Sequence, residues 1–264
     1  MKSNQKIVYY FSLSDNFVET KNQAKTISEN YRFIRSNIFA KIFGTFLFLF
    51  FRLIAKIYAC FILHLKIKGK DKLKSYVKST KKGYYIYANH VLTYGDVYNP
   101  ALYSPVHPYY ICDSSNLGIP VLGPLLPYVG ALPIPDSIRG KKNLFDAIST
   151  HAKQGKAIII YPEAHVWPYF TKIRPFETTS FSFPVRDNLP IFTATTTFQP
   201  YKIKYKAKHK KPRVTIYIDG PFYPDKSLDK KSRAKDLHDK AYDALVSRAK
   251  LSTTEYIRYQ KRVN

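Results

Sequence analysis

The feature that most constrains this chain is the apolar run at residues 42–65, IFGTFLFLFFRLIAKIYACFILHL. A helix of that length would extend about 36 Å, which is enough to cross the hydrocarbon core of a bilayer. Arg52 and Lys56 stand near its middle, four residues apart and therefore on one helical face. Each would cost about 2.5–3.5 kcal/mol at a bilayer centre. We therefore expect a helix that lies in the membrane interface or inserts shallowly; a spanning helix and a buried helix of a soluble domain are the alternatives.

Positive charge dominates the rest of the composition. The 264 residues include 43 Lys and Arg against 18 Asp and Glu, a formal net charge of +25. Such a field attracts polyanions, so nucleic acid and an anionic membrane surface compete as partners. Residues 201–211, YKIKYKAKHKK, interleave lysines with aromatic rings but match no recognisable nucleic-acid-binding module. Because lysines also flank the apolar run on both sides, we expect anionic membrane lipid as the partner and no nucleic acid.

Cysteine and histidine usage argues against two kinds of site. Cys60 and Cys112 are too few for a disulfide framework, and no Cys/His spacing typical of a metal site occurs. We expect both cysteines to be buried free thiols in a reducing compartment, with no bound metal and no cofactor. Residues 1–36 are polar and mixed, without the pattern of a secretory signal peptide.

Beyond the apolar run, strand-like and helix-like segments alternate. Strands are predicted at residues 65–67, 84–88, 109–112, 130–134, 157–161 and 191–198, with a late hairpin of 202–206 and 214–219. Helices are predicted at residues 141–153 and 227–249, and residues 6–11 predict either a short strand or a surface-docking segment. The alternation predicts an α/β fold with a mixed, mostly parallel central sheet flanked by helices, behind an N-terminal membrane-associating helical segment.

We divide the chain into four parts on this basis. They are an N-terminal extension at residues 1–36, the membrane-associating helical segment at 37–66, one α/β domain at 67–250 and a C-terminal tail at 251–264.

His90 differs from the other histidines because it directly follows a predicted strand, in the sequence NHVLTYGD of residues 89–96. Loops at the carboxyl ends of strands are where α/β sheets place their sites. A carboxylate that reaches one imidazole nitrogen would fix the tautomer and stabilise the imidazolium. His90 and Asp96 therefore predict the His–Asp half of a catalytic triad, whose third member would be the hydroxyl of the substrate.

A second cluster, YPEAHVWP at residues 161–168, also follows a predicted strand and is typical of a binding loop. His165 either contacts the substrate or packs the loop, and Trp167 is expected to pack rather than to form a substrate platform. Lys172 and Arg174 follow and offer cations to an anionic group.

These segments together resemble the motifs of the glycerolipid acyltransferase family, of the 1-acylglycerol-3-phosphate acyltransferase type. In chain order the matching segments are residues 89–96 for the first motif, 130–135 (GALPIP) for the second, 161–163 (YPE) for the third, 175–181 for the stretch after it and 189–191 (LPI) for the fourth. Order and spacing agree with the family from about residue 60 to residue 200.

The resemblance implies transfer of a fatty acyl group from acyl-CoA or acyl carrier protein to a hydroxyl of a lysolipid, with 1-acyl-glycerol-3-phosphate as the expected acceptor in phospholipid biosynthesis. It makes His90 the general base, Asp96 the residue that orients it and Glu163 a residue that holds the acceptor. Residues 67–250 would be the acyltransferase domain, at the cytoplasmic face of the cell membrane. The expected substrate-binding residues are Asn89, Gly130, Arg139, Pro162, Glu163, His165 and Arg174.

The sequence departs from the family pattern on the acceptor side. Asp136 stands where the second motif carries an arginine, and Ala164-His165-Val166 replaces Gly-Thr-Arg after the glutamate. The His–Asp spacing is also one residue longer than usual. Either Arg139, Lys172 and Arg174 hold the acceptor phosphate instead, or the acceptor is a glycolipid or another lipid without a phosphate monoester. A relative that binds membrane lipid without catalysis is a further alternative.

Overall fold

The computed structural model describes residues 6–18, 25–201 and 211–262. The strands are β1 (Lys6–Tyr10), β2 (Lys66–Lys68), β3 (Tyr84–Ala88), β4 (Pro108–Cys112), β5 (Ala131–Pro133), β6 (Ala157–Ile160), β7 (Ile191–Gln199), β8 (Arg213–Phe222) and β9 (Ile257–Lys261). The helices are α1 (Ile38–Phe61), α2 (Lys70–Thr80), α3 (Gly95–Tyr98), α4 (Pro100–Tyr103), α5 (Ile138–Lys153), α6 (Ser182–Asp187) and α7 (Lys230–Ala249). Short 3₁₀ turns occupy Ser114–Gly118, Gly123–Val129 and Thr179–Phe181.

A central sheet organises the described part of the chain, with seven strands in the order β2-β8-β7-β3-β6-β4-β5. All neighbouring strands are parallel except β7 and β8, which are antiparallel. The structure therefore confirms the predicted α/β class with a mixed, mostly parallel sheet. Strands β3 and β6 lie at its centre and are buried along their whole length, as expected of strands covered on both faces.

Strand β3 has the sequence YYIYA, and its three tyrosines are fully buried. Buried tyrosine hydroxyls need partners, and each of these has one. Tyr84 shares a hydrogen bond of 2.8 Å with Ser104, Tyr87 donates to the carbonyl of Ser180 at 2.8 Å, and Tyr85 donates to Asp187. These bonds fix the strand that leads directly to residues 89–96.

Helix α1 packs one narrow stripe against the protein, formed by Gly44, Leu47, Ala55 and Ala59. A side chain at Gly44 would place its Cβ 2.8 Å from the carbonyl oxygen of Tyr128, so only glycine allows this close approach. The opposite side is exposed and apolar, and only 17% of the most apolar part of the helix is buried. That exposure rules out the buried helix of a soluble domain and fits a membrane-associating segment. The exposed large apolar side chains of α1 are Ile38, Phe39, Ile42, Phe43, Phe46, Leu49, Phe50, Leu53, Ile54, Ile57 and Phe61.

One local prediction needs correction, and one helix was not predicted. Cys60 is exposed on α1 and Cys112 is half-buried, so the two free thiols are not both buried. Helix α2 was not predicted, because its lysine-rich sequence buries only Leu73 and Tyr76. The predicted strand at 202–206 lies outside the described residues and stays a prediction, while β8 pairs with β7 in the described part of the chain.

The N-terminal and C-terminal segments meet in a second, two-stranded parallel sheet of β1 and β9. Residues 6–11, which predicted either a strand or a docking segment, thus contribute a strand. The four-part division of the chain stays a prediction.

Candidate active site at the end of strand β3

Asn89 anchors the end of β3 to the neighbouring strand β7. Its side-chain amide donates to the carbonyl of Thr196 at 3.0 Å, and the backbone N–H of Thr196 donates to Asn89 Oδ1 at 2.8 Å. Asn89 is buried, and this pair of bonds engages both ends of its amide. The structure therefore gives Asn89 a role in holding the loop that begins with His90, rather than the predicted contact with substrate.

His90 and Asp96 are in contact, with Nδ1 of the imidazole 2.9 Å from Oδ2 of the carboxylate. The same oxygen accepts the backbone N–H groups of Val91 and Leu92, each at 2.8 Å. Gly95, where a Cβ would lie 2.8 Å from Leu92, lets the loop close in spite of its extra residue. Because the ionised carboxylate only accepts hydrogen bonds, Nδ1 carries a proton and Nε2 is the nitrogen left to accept one.

Tyr161 stacks on the imidazole of His90, with ring centroids 4.4 Å apart and an interplanar angle of 21°. Its hydroxyl donates to the backbone carbonyl of Asp96 at 2.5 Å. Burial, together with the nearby carboxylate of Asp96, raises the pKa of Tyr161 well above its usual value, so the phenol stays neutral. This positioning role was not predicted from the sequence, although Tyr161 directly follows β6, the strand beside β3.

Glu163 and Arg174 form an ion pair behind the His90 loop, with side chains that are almost completely buried. Arg174 Nη2 and Nε lie 3.0 Å and 3.3 Å from Glu163 Oε2, and the Arg174 backbone N–H donates to Oε1 at 3.2 Å. Burial raises the pKa of Glu163, while the guanidinium of Arg174 and the backbone N–H of His90 oppose that rise. The pair therefore supports the backbone of the His90 loop.

The other donors of Arg174 are also engaged. Nη1 donates to the carbonyl of Leu13 at 3.1 Å, Nη2 also donates to the carbonyl of His165, and the guanidinium lies 4.9 Å from the ring centroid of Trp167. The sequence predicted that Arg174 is a cation free to bind an anionic group. In the structure, Glu163 neutralises Arg174 instead.

Trp167 holds the loop of residues 161–168 between the active site and the N-terminal segment. Its backbone N–H donates to the carbonyl of His90 at 3.0 Å, and its indole N–H donates to the carbonyl of Asp15 at 2.9 Å. Its ring contacts Tyr10 and Tyr259, which belong to β1 and β9. Trp167 is fully buried, as expected of a packing residue.

A cavity of about 450 Å³ with largely apolar walls lies beside His90. His90, Asp96 and His165 line it together, so the structure brings these three predicted site residues to one place. The apolar walls come from α1, β4 and the 3₁₀ turn at Gly123–Val129. Their main side chains are Phe48, Phe51, Ala55, Tyr110, Ile111, Leu122, Leu126 and Val129.

Three further predicted residues do not line this cavity. Gly130 has a φ of +104° and a Cβ there would meet the carbonyl oxygen of Pro108 at 2.4 Å, so it serves the turn into β5. Arg139 is exposed in the first turn of α5, and Pro162 is half-buried within the loop of residues 161–168. By contrast Arg52, which from the sequence was only an obstacle to membrane insertion, does line the cavity.

Within the ranges that the structure describes, no three His, Cys, Asp or Glu side chains gather in a way that could hold a metal ion.

No protein-family model matches the chain, and no curated protein matches it. Among solved structures, the fold is similar to the crystal structure of the 1-acyl-sn-glycerophosphate (LPA) acyltransferase PlsC from Thermotoga maritima, with a TM-score of 0.57. The sequences are 13% identical over 84% of this chain and 86% of that chain. At this identity the likeness establishes a shared fold.

Proposed function

We propose that this chain is an acyltransferase that moves a fatty acyl group from acyl-CoA or acyl carrier protein to a hydroxyl of a lysolipid. The observation that carries the proposal is the hydrogen-bonded pair of His90 and Asp96 on the wall of a largely apolar cavity. A paired imidazole beside an apolar cavity suits a reaction between a hydroxyl and a long acyl chain. The fold shared with an acyltransferase supports the same class of reaction.

The chemistry assigns one role to each member of the pair. Nε2 of His90 takes the proton of the acceptor hydroxyl, and the oxygen attacks the carbonyl carbon of the thioester. Asp96 holds the Nδ1 proton and stabilises the imidazolium that forms. When the tetrahedral intermediate collapses, the carbon–sulfur bond breaks and the imidazolium returns its proton to the thiolate. The products are a new ester and a free thiol, and no cofactor is required.

The acceptor that we propose is 1-acyl-glycerol-3-phosphate, which would place the chain in phospholipid biosynthesis. The positive net charge suits a substrate with a phosphate group. A glycolipid acceptor is the second candidate, because Arg139 and Arg174 both lie away from the cavity.

We further propose that α1 attaches the chain to the cytoplasmic face of the cell membrane without spanning it. Its apolar face would lie among the acyl chains, and the surrounding lysines would contact anionic lipid headgroups. This arrangement gives the cavity direct access to a lysolipid, because Phe48 and Phe51 of α1 form part of its wall.

The test is acceptor-dependent thiol release. The purified chain in detergent is given palmitoyl-CoA with a panel of lysolipids, and the free thiol is measured with a chromogenic reagent. We expect release with 1-acyl-glycerol-3-phosphate, and a loss of at least about a thousandfold in kcat for His90→Ala. His64→Asn is the matched control, because His64 lies outside the cavity at a φ of +45°, which asparagine tolerates. Equal rates for wild type and His90→Ala, or no release with any acceptor, would overturn the proposal.

A further inference from the structure

Helix α1 carries two cations on the border between its protein-facing stripe and its exposed apolar face. Arg52 and Lys56 are four residues apart, so their side chains lie one above the other. Both residues are exposed, while Ala55 between them faces the protein. This placement leaves the two charges at the edge where α1 meets the rest of the chain.

A second cavity, of about 560 Å³, opens at that edge, and three cations line it: Arg52, Lys56 and Lys70. Lys70 is the first residue of α2, and its Nζ donates to the carbonyl of Leu102 at 2.5 Å. The remaining walls are apolar apart from Cys60, and no acidic side chain lines the cavity. We call this cavity the cationic pocket.

The charges in the cationic pocket are not neutralised by the protein. Among the residues that the structure describes, no acidic side chain lies within salt-bridge distance of Arg52, Lys56 or Lys70. Burial, Lys74 and Arg52 all lower the pKa of Lys70, which means that Lys70 lies close enough to Arg52 to be repelled by it. An anion bound among them would relieve that repulsion and would be held by several charge-assisted hydrogen bonds.

The cationic pocket adjoins the cavity that contains His90. Arg52 lines both cavities, so its side chain lies on the boundary between them. Ala101 lines the first cavity and Leu102 lines the second, which places α4 along the same boundary. A ligand whose anionic group occupies the cationic pocket therefore lies next to the cavity that contains His90.

From this geometry we infer that the cationic pocket binds the phosphate of the lysolipid acceptor, with Arg52, Lys56 and Lys70 as its ligands. The inference rests on the proposed function, since it assigns the acceptor phosphate to a position beside the same His90. A phosphate monoester matches the pocket because it carries up to two negative charges and three acceptor oxygens. Helix α1 then supplies two of the three cations that recognise the head group.

The variants for the test are Arg52→Gln/Lys56→Gln and Lys70→Gln. The matched control is Lys78→Gln/Lys82→Gln, which removes the same two charges from exposed positions outside both cavities. Steady-state kinetics are measured with 1-acyl-glycerol-3-phosphate and with 1-acylglycerol, which lacks the phosphate, at a saturating concentration of palmitoyl-CoA.

We expect the KM for 1-acyl-glycerol-3-phosphate to rise at least about tenfold in Arg52→Gln/Lys56→Gln, because one charged hydrogen bond is worth roughly that factor. The KM for 1-acylglycerol is expected to change by less than about twofold, and the control should resemble wild type. Equal increases for both acceptors, or an unchanged KM for 1-acyl-glycerol-3-phosphate, would overturn the inference.

A binding measurement separates this inference from the proposed function. Calorimetric titration of the His90→Ala chain with 1-acyl-glycerol-3-phosphate in detergent should give a Kd that rises about tenfold when Arg52 and Lys56 are also replaced. Glycerol 3-phosphate is expected to compete, whereas competition by coenzyme A alone would assign the pocket to the acyl donor and overturn the inference. Selective binding without any turnover would refute the proposed function alone, and turnover with an unchanged Kd would refute the pocket alone.

Discussion

Glu163 and Arg174 form an ion pair in which Oε2 and Nη2 are 3.0 Å apart and neither side chain is more than 1% exposed. The pair lies behind the loop that carries His90, and the carbonyl of the same His90 accepts a hydrogen bond from Trp167. Glu163 and Arg174 therefore neutralise each other and support the backbone of the loop that carries His90.

The first prediction concerns the loss of one partner. Arg174→Ala is expected to lower the free energy of unfolding by about 3–5 kcal/mol, because it leaves the carboxylate of Glu163 buried and unpaired. Urea denaturation in detergent measures this. Replacing both partners, as in Glu163→Leu/Arg174→Met, should cost less than the sum of the single changes. A raised acceptor KM at unchanged stability would show instead that Arg174 reaches the acceptor.

The second prediction separates orientation of His90 from folding. Asp96→Asn keeps an oxygen for the backbone N–H groups of Val91 and Leu92, so the loop should close as before. It removes the charge that stabilises the imidazolium and permits the wrong tautomer of His90. We expect kcat to fall by about 10³–10⁴ while the acceptor KM and the melting temperature change little. A variant with wild-type kcat would exclude Asp96 from the mechanism.

The third prediction concerns pH and the attachment of α1. His107 packs against Phe48 of α1 with ring centroids 4.2 Å apart. Burial, helped by the nearby Lys156 and His151, lowers the pKa of His107 to about 4. The unfolded imidazole has a pKa near 6.5, so between about pH 6.5 and pH 4 the unfolded chain binds more protons than the folded chain. The contribution of neutral His107 to the free energy of unfolding is therefore fully present above about pH 6.5, and it is lost as the pH drops toward 4.

Thermal unfolding of the detergent-solubilised chain across this pH range measures the effect, which for His107 amounts to at most about 3 kcal/mol. His107→Gln should reduce the slope and His64→Asn should retain it. Burial also lowers the pKa of His151, so part of the slope is expected to survive in His107→Gln. An identical slope in wild type and His107→Gln would contradict this assignment.

The fourth prediction tests membrane attachment by vesicle flotation. Leu53 is 58% exposed on the apolar face of α1, and Leu53→Asp is expected to reduce the membrane partition coefficient roughly tenfold or more. Tyr223→Asp changes a side chain of similar exposure outside α1 and should leave binding unchanged. Wild type should bind anionic vesicles better than neutral ones and less strongly as salt increases. Equal binding to both would exclude steering by charge.

The central strands β3, β6 and β7 were predicted well from the sequence because they consist mostly of β-branched or aromatic residues. The position of His90 after β3, with a carboxylate six residues on, is a local property of the chain, and local spacing is visible in a sequence. Helix α2 was not predicted from local spacing. Its lysines resemble a solvated loop, and its two buried residues, Leu73 and Tyr76, are too few to show a helical pattern in the sequence.

Contacts between distant segments were not predictable in this way. Arg174 looked like a free cation because its ion pair with Glu163 and its hydrogen bond to the carbonyl of Leu13, 161 residues away in sequence, form only when the loop folds against the N-terminal segment. Arg52 appeared only as a cost of insertion, because its position in two cavities depends on how α1 packs against the strands and turns of the main domain. Both errors concern charges whose environment is set by tertiary packing.

The close packing of Gly44 on Tyr128 and of Phe48 on His107 has a consequence for how the chain would meet its substrate. Because α1 cannot tilt or slide without breaking these contacts, the height of His90 above the apolar face of the helix is fixed by the protein. The depth of the hydroxyl in the membrane would then select the lysolipid, because the hydroxyl must lie at the level of the imidazole of His90. A lipid whose hydroxyl lies at another depth would not react, even if its head group fitted the site.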